Sequence, residues 1–413
     1  MADRIHNILL LTFIGCLLFA VLGTKWTSNS GAEYPEWMHI GLEKTSLEGR
    51  KYTEEPKINR KSLADGSYQE QCESYLSDIV PMRDNIVLAN ASMQRQCIRV
   101  ANIPFSFDAY PTFFNSGTSV VPEHELIVPN ATSPTDENTK AASEFVALVD
   151  ELALSHPEVR FCYQALRSPY DSEFNPTYRY VSHVYDMDWV NETILDPLKE
   201  SGNVTLLYEP IRSFDEYKEL WITTEHHWTI ERALIAYNHL ADSLDWTIVP
   251  YDNPKLIVAS WYGARCRLGL DLEYSSEFYD LVTDFSSIEW KNKKGETVPC
   301  GKRDEYLTGS NPYSEKPIYN VYDSYYGSSN LEALNHGDNN GKTCLVICSS
   351  YTKALKNHIA SNYKRTIFVD PMNGKATRSM SDYIENEDVD DVVIQIASTS
   401  YGKLKQNSPD LLS

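Results

Sequence analysis

The sequence predicts an α/β fold, a doubly wound parallel sheet with an N-terminal membrane anchor and a helical entry region. Three observations carry this expectation. From about residue 138, short apolar runs alternate with helical stretches. An uncharged apolar segment lies close to the start, and two helix-like stretches stand between it and the alternating region. The predicted divisions are a signal-anchor or signal peptide over 1–25, a polar linker over 26–62, a helical and irregular entry region over 63–137, an α/β domain over 138–400 and a tail over 401–413.

Lys140 to Leu154 has helical periodicity, and Val159 to Leu166 is an apolar run suited to a strand buried on both faces. Helix Val190–Glu200, strand Val204–Tyr208 and the long amphipathic helix Thr229–Leu244 come next. After a less regular stretch, strand Thr343–Cys348, a helix over about 352–362, strand Thr366–Asp370, helix Met380–Glu385 and strand Asp391–Ala397 complete the series. Strands separated by helices imply parallel βαβ units with helices on both faces. In the entry region Ser67–Ser77 and Arg83 to about Val100 read as helices, whereas 101–137, rich in aromatic, Pro and Asn residues, reads as irregular.

The apolar segment Ile8 to Gly23 follows a short head with Arg4 as its basic residue, and Trp26 stands at the expected interface. Its length is at the short limit of the roughly 17–25 residues that a span requires. Val21-Leu22-Gly23 also suits a signal peptidase, so anchor and cleaved signal are both open; either way the remaining chain faces outward from the membrane. Residues 25 to about 62, broken by Gly, Pro and charge, read as a stalk.

With 37 basic against 58 acidic residues the chain carries a net charge of −21. Such a surface repels phosphate backbones, which argues against nucleic acid as a partner. The 27 Tyr and 8 Trp are more in keeping with core filling than with sugar stacking. Among the cysteines, Cys344 and Cys348 on one strand lie about 13 Å apart, beyond disulfide reach. Cys72 with Cys97, or Cys266 with Cys300, could pair in an oxidising compartment. No Zn-type CxxC spacing occurs.

Two segments carry potential chemistry. Glu225-His226-His227-Trp228 precedes a helix, and Ser349-Ser350-Tyr351 lies between a strand and the next helix. Open α/β sheets place their sites at such strand ends. A serine there is exposed on a tight turn, beside helix-start amides able to hold an oxyanion. A histidine must take its proton and a carboxylate must orient the imidazole. Metal ligation by Glu225, His226 and His227 is set aside, because ligands ordinarily converge from separate elements or at i, i+4 spacing. Neither a metal nor a cofactor is expected.

These segments resemble the DHHW family of SGNH-hydrolase-like proteins and the related alginate O-acetylation proteins. There an Asp-x-His-Trp motif precedes a helix and a serine follows later in an Asp-Ser-Tyr/Phe block. Here the matching stretches are Trp221-Ile-Thr-Thr-Glu-His-His-Trp-Thr229 and Leu345-Val-Ile-Cys-Ser-Ser-Tyr351. Leu63-Ala-Asp-Gly66, Tyr75-Leu-Ser-Asp78, Pro81-Met-Arg-Asp84, Trp261-Tyr-Gly263 and Ile367-Phe-Val-Asp-Pro371 are similar to further family blocks, so the likeness spans about 47–400. The resemblance implies an SGNH-like fold, with Ser350 as nucleophile, His227 as general base and Glu225 as the orienting acid. Tyr262, Gly263 and Arg265 are candidates to line the crevice. It further implies an extracytoplasmic esterase or O-acetyltransferase acting on a cell-envelope polysaccharide through a serine acyl-enzyme, with a membrane acyltransferase as a conceivable partner. Three departures from the pattern stand out: Glu225 and Ser349 replace aspartates, and Met372 replaces an arginine. The alternative is an inactive glycan-binding or scaffold protein of the same fold.

Overall fold

The computed structural model describes residues 52–78, 80, 83–114, 116–169, 173–178, 185–248, 250–308, 320–374 and 376–412. The apolar segment Ile8–Gly23 and most of the linker lie outside them. Among the described residues no helix is long and apolar enough to cross a membrane. The chain forms two compact units.

The described part of the first unit runs to Ser106 and takes in Pro111–Ser116 and Arg267–Asp271. Its helices are α1 (Arg60–Ala64), α2 (Ser67–Asp78) and α3 (Arg83–Asn102), with α2 and α3 where the periodicity places them. Asn59 caps α1 by accepting from the Ser62 amide at 2.8 Å. Arg95, buried on α3, lies 3.3 Å from the buried carboxylate of Asp271.

The second unit comprises Phe107–Tyr110, Gly117–Cys266 and Leu272–Ser413. Strands β1 (Thr118–Val121) and β2 (Leu126–Pro129) pair antiparallel within the stretch expected to be irregular. All eight of these positions are buried, so they lack the in-out alternation that would have revealed them. Next come α4 (Asp136–Ser155), β3 (Arg160–Ala165), α5 (Asp196–Ser201), β4 (Thr205–Tyr208), α6 (Phe214–Leu220) and α7 (Ile230–Leu244). β5 (Lys255–Trp261), β6 (Ser276–Asp280), β7 (Ile288–Lys291), α8 (Val321–Tyr326) and β8 (Glu332–Asn335) follow. The chain ends with β9 (Thr343–Cys348), β10 (Arg365–Val369), α9 (Met380–Asn386), β11 (Asp391–Gln395) and α10 (Tyr401–Asn407).

The fold is mixed α/β around a largely parallel seven-stranded sheet of order β4-β3-β11-β9-β10-β8-β7. β4, β3, β11, β9 and β10 run parallel. The expectation of a wholly parallel sheet is corrected at one edge, where β8 and β7 run antiparallel. Their four-residue lengths, and an alternating burial that leaves every second residue half-buried, mark them as strands packed on one face only.

The strands of the parallel core feed two hydrophobic clusters by simple alternation. Cys162, Cys344, Val346, Cys348 and Val393 pack with α7 and α8 on one face. Phe161, Tyr163, Leu345, Ile347, Val392 and Ile394 pack with α4, α9 and α10 on the other. Cys72, Cys97, Cys266 and Cys300 are not joined in disulfides, so neither Cys72–Cys97 nor Cys266–Cys300 pairs in this structure.

His358 sits buried near Tyr237 and Phe285, with neither ring nitrogen hydrogen-bonded. Burial, with Arg303 adding to it, pushes its pKa down to about 4. Between this value and the ordinary one near 6.5 the unfolded chain binds a proton that the folded chain does not. Its contribution to stability therefore declines as pH falls through that window. His358→Leu is expected to flatten the fall in urea-unfolding free energy between pH 6.5 and 4.5 by about one proton's worth of slope. An unchanged slope contradicts a neutral buried imidazole.

Candidate active site

Residues between α6 and α7 turn back as a narrow loop. Trp221 and Trp228 form an antiparallel bridge. The Ile222 amide donates to His227 O at 3.1 Å, that of Thr229 to Leu220 O at 3.0 Å, and that of Glu225 to Ile222 O at 2.9 Å. Thr223 to His226 become the tip of a hairpin, and Thr229 caps α7 by accepting from the Arg232 amide at 3.4 Å.

The tip is gripped from three sides. The Ile127 amide of β2 donates to Thr223 O at 3.1 Å. Ser276 Oγ, at the start of β6, accepts from the Thr224 amide at 3.0 Å and lies 2.7 Å from Thr224 Oγ1. Three consecutive amides complete the clamp: Gly263 to Thr224 Oγ1 at 3.1 Å, Ala264 to Glu225 Oε2 at 2.6 Å, and Arg265 to Thr224 O at 3.0 Å.

This clamp revises the part expected of the Tyr262-Gly263-Arg265 segment. Gly263 is buried against the loop, and a Cβ there would stand 2.3 Å from Thr224 O. Arg265 is 2 % exposed and donates from Nη1 to Ile127 O at 2.8 Å. Both residues therefore contact protein and hold the loop, because burial leaves them no open crevice to line. Tyr262 is half-buried.

On the other side, β9 lies between β11 and β10 and ends at Cys348. Ser349 is extended, and Ser350 opens a 3-10 turn, Ser350–Leu355. Of the two adjacent serines, Ser350 meets the histidine: His227 Nε2 stands 2.9 Å from Ser350 Oγ. Ser349 Oγ is buried with no hydrogen-bond partner. Cross-braces fix the relative position of the two segments. Trp228 Nε1 donates to Tyr351 O at 2.9 Å, and Tyr351 Oη donates to His226 O at 2.8 Å.

The carboxylate side is arranged differently. Glu225 is fully buried, and its Oε1 lies 3.3 Å from His227 Nδ1. That contact is too poorly aligned to be a hydrogen bond, and His227 Nδ1 has no partner. Oε1 instead accepts from the His226 amide at 2.8 Å and touches His226 Nδ1. Burial alone would raise the Glu225 pKa, but the adjoining His226, with His227 close by, holds it well below the usual carboxylate range. Burial, reinforced by His226, pushes His227 down to about 4 against the pull of Glu225 and Asp323. At neutral pH a neutral imidazole faces a hydroxyl, the state a general base requires.

Tyr322 of α8 has no counterpart in the sequence-based expectations. Its ring stacks on His227 with centroids 3.7 Å apart and planes 6° from parallel. Its hydroxyl donates to Tyr351 O at 3.2 Å and Ser350 O at 3.3 Å. One side chain thus fixes both the imidazole plane and the serine turn. Tyr322→Phe keeps the stack and is expected to destabilise by about 1–3 kcal/mol through the lost buried hydrogen bonds. Tyr322→Leu loses the stack as well and should cost about 0.5–1.5 kcal/mol more. Urea unfolding of the two variants gives the order, and equal losses contradict a stabilising stack.

No family model matches the chain and no curated protein matches it. Solved structures to which the chain is similar include Bacillus cereus PatB1, at 14 % identity over 67 % of this chain and 95 % of that one, with a TM-score of 0.47. A DHHW family protein from Eubacterium siraeum is 11 % identical over 73 % of this chain and 98 % of its own, with a TM-score of 0.48. The O-acetyltransferase domain of Pseudomonas putida AlgJ is 11 % identical over 69 % and 88 %, with a TM-score of 0.35.

Proposed function

We propose that this protein is an SGNH-like serine esterase or O-acetyltransferase that acts outside the cytoplasmic membrane on a cell-envelope carbohydrate. The observation that carries the reading is the 2.9 Å contact of His227 Nε2 with Ser350 Oγ at the end of a central parallel strand. Ser350 Oγ attacks the ester carbonyl while His227 Nε2 takes its proton. The tetrahedral intermediate collapses, the leaving alcohol takes the proton back, and an acetyl-serine remains. Water or a sugar hydroxyl then gives its proton to His227, attacks the acetyl carbon and restores Ser350. Glu225 orients the imidazole once its Oε1 turns to Nδ1, a small adjustment of the kind that free enzymes make on binding substrate. The outward location is supported by the apolar segment Ile8–Gly23, and the carbohydrate by the order of the DHHW-like motifs.

The test is release of a chromophore from a chromogenic acetyl ester, with and without an oligosaccharide acceptor. Turnover above buffer by the native protein and none by Ser350→Ala supports the reading; equal rates for both sink it. Because His227 must be neutral to act, kcat/KM is expected to hold down to about pH 4 and to fall below it. An acid limb near pH 6.5 contradicts the buried environment of His227.

One observation favours a second reading, an inactive glycan-binding scaffold. Glu225 Oε1 is taken up by His226, and His227 Nδ1 is left unpartnered. The same ester assay separates the two, since the scaffold predicts background rates throughout.

A further inference from the structure

Three consecutive residues ordinarily send their side chains in different directions. The hairpin tip overrides this for Glu225, His226 and His227, where one ligand-type atom from each lies within 4.8 Å of the other two. His227 Nδ1 is buried and unpartnered. Its 3.3 Å separation from Glu225 Oε1 matches the edge of about 3.3 Å between two ligands of a tetrahedral ion with bonds of about 2.0–2.1 Å. The His226 side chain is 36 % exposed, which gives an ion an entry path and a solvent ligand.

We propose that Glu225 Oε1, His226 Nδ1 and His227 Nδ1 form a site for a borderline divalent cation of the Zn2+ class. Two imidazoles and one carboxylate suit such an ion, whereas Ca2+ and Mg2+ take oxygen ligands. His226 Nδ1, now touching the carboxylate, draws back to admit the ion, and water fills the fourth position. The ring of His227 presents opposite edges to the two partners, so Nε2 continues to face Ser350. The consequence for chemistry rests on the proposed serine mechanism: with the ion on Nδ1, the neutral ring keeps its one proton on Nε2, which then donates to Ser350 Oγ and has no lone pair left to take the serine proton. Zn2+ thus silences the centre.

Titration of the full-length protein with Co2+, a spectroscopic stand-in, and displacement by Zn2+ give the test. A saturable visible d–d band is expected in the native protein and in Ser350→Ala. Glu225→Gln and His226→Ala should each weaken binding by at least about a hundredfold, since loss of outer partners alone costs about 10–100-fold. In a parallel ester assay, Zn2+ should inhibit over the range in which it binds, with His226→Ala correspondingly less sensitive. No saturable band, or a band unchanged in His226→Ala, overturns the site. His226-dependent binding without any ester turnover keeps the site and removes the hydrolase reading; turnover without binding does the reverse.

Discussion

Ser350→Ala is expected to lower acetyl-ester turnover by on the order of 10⁴–10⁶-fold, to the level of the uncatalysed reaction plus whatever binding alone contributes. Ser350 Oγ supplies the electron pair for the new bond, and the adjacent Ser349 does not take its place: its Oγ is buried without a hydrogen-bond partner. His227→Ala should cost a similar factor. The double variant should be no slower than either single one, because nucleophile and base act as a unit. Stability should change little in Ser350→Ala, by about 1 kcal/mol or less, since the side chain is half-buried and its bond to His227 is one of ordinary length. Multiplicative losses in the double variant, measured by initial rates, contradict a shared proton transfer.

Gly263→Ala is the second large effect, and it acts without touching the reacting atoms. The added Cβ would lie 2.3 Å from Thr224 O, 2.6 Å from Thr224 C and 2.8 Å from Glu225 Cβ. Relief requires the 263–265 segment to move away from the hairpin tip. That motion breaks the hydrogen bonds that the Gly263 and Ala264 amides donate to Thr224 Oγ1 and Glu225 Oε2 and lets the carboxylate drift. A loss of about 1–3 kcal/mol in unfolding free energy is expected, as for other overpacked sites. Turnover should drop by about 10²-fold, since a displacement of about 1 Å in a catalytic group suffices for that. Urea unfolding and ester kinetics on one preparation check both. A variant with native stability and native rate contradicts the clamp.

Much of the architecture is legible from the chain. Phe161 to Tyr163, Leu345 to Cys348 and Val392 to Ile394 are continuous apolar runs because both faces of a central strand are covered. Helices such as Ile230–Leu244 show the helical apolar spacing that marks a buried stripe. The antiparallel edge was hidden for the opposite reason: Ile288–Lys291 and Glu332–Asn335 are short and mix polar with apolar residues, within a stretch that shows no regular pattern.

The site divides in the same manner. Ser350 and His227 are visible as residues at loop-to-helix junctions, and the structure brings them together. Tyr322 was illegible because its stacking partner lies in a distant segment and its own helix carries three further buried aromatic or aliphatic residues that read as core. The convergence of Glu225, His226 and His227 was set aside from spacing alone, yet backbone bonds within a hairpin tip reorient neighbours that an extended strand would separate.

An acyl group carried on Ser350 can be caught by mass spectrometry of the protein quenched in acid during acetyl-ester turnover. One added acetyl group is expected on the peptide containing Ser350 in the native protein and none in Ser350→Ala. An acetyl group located elsewhere, or equal labelling of both proteins, contradicts it.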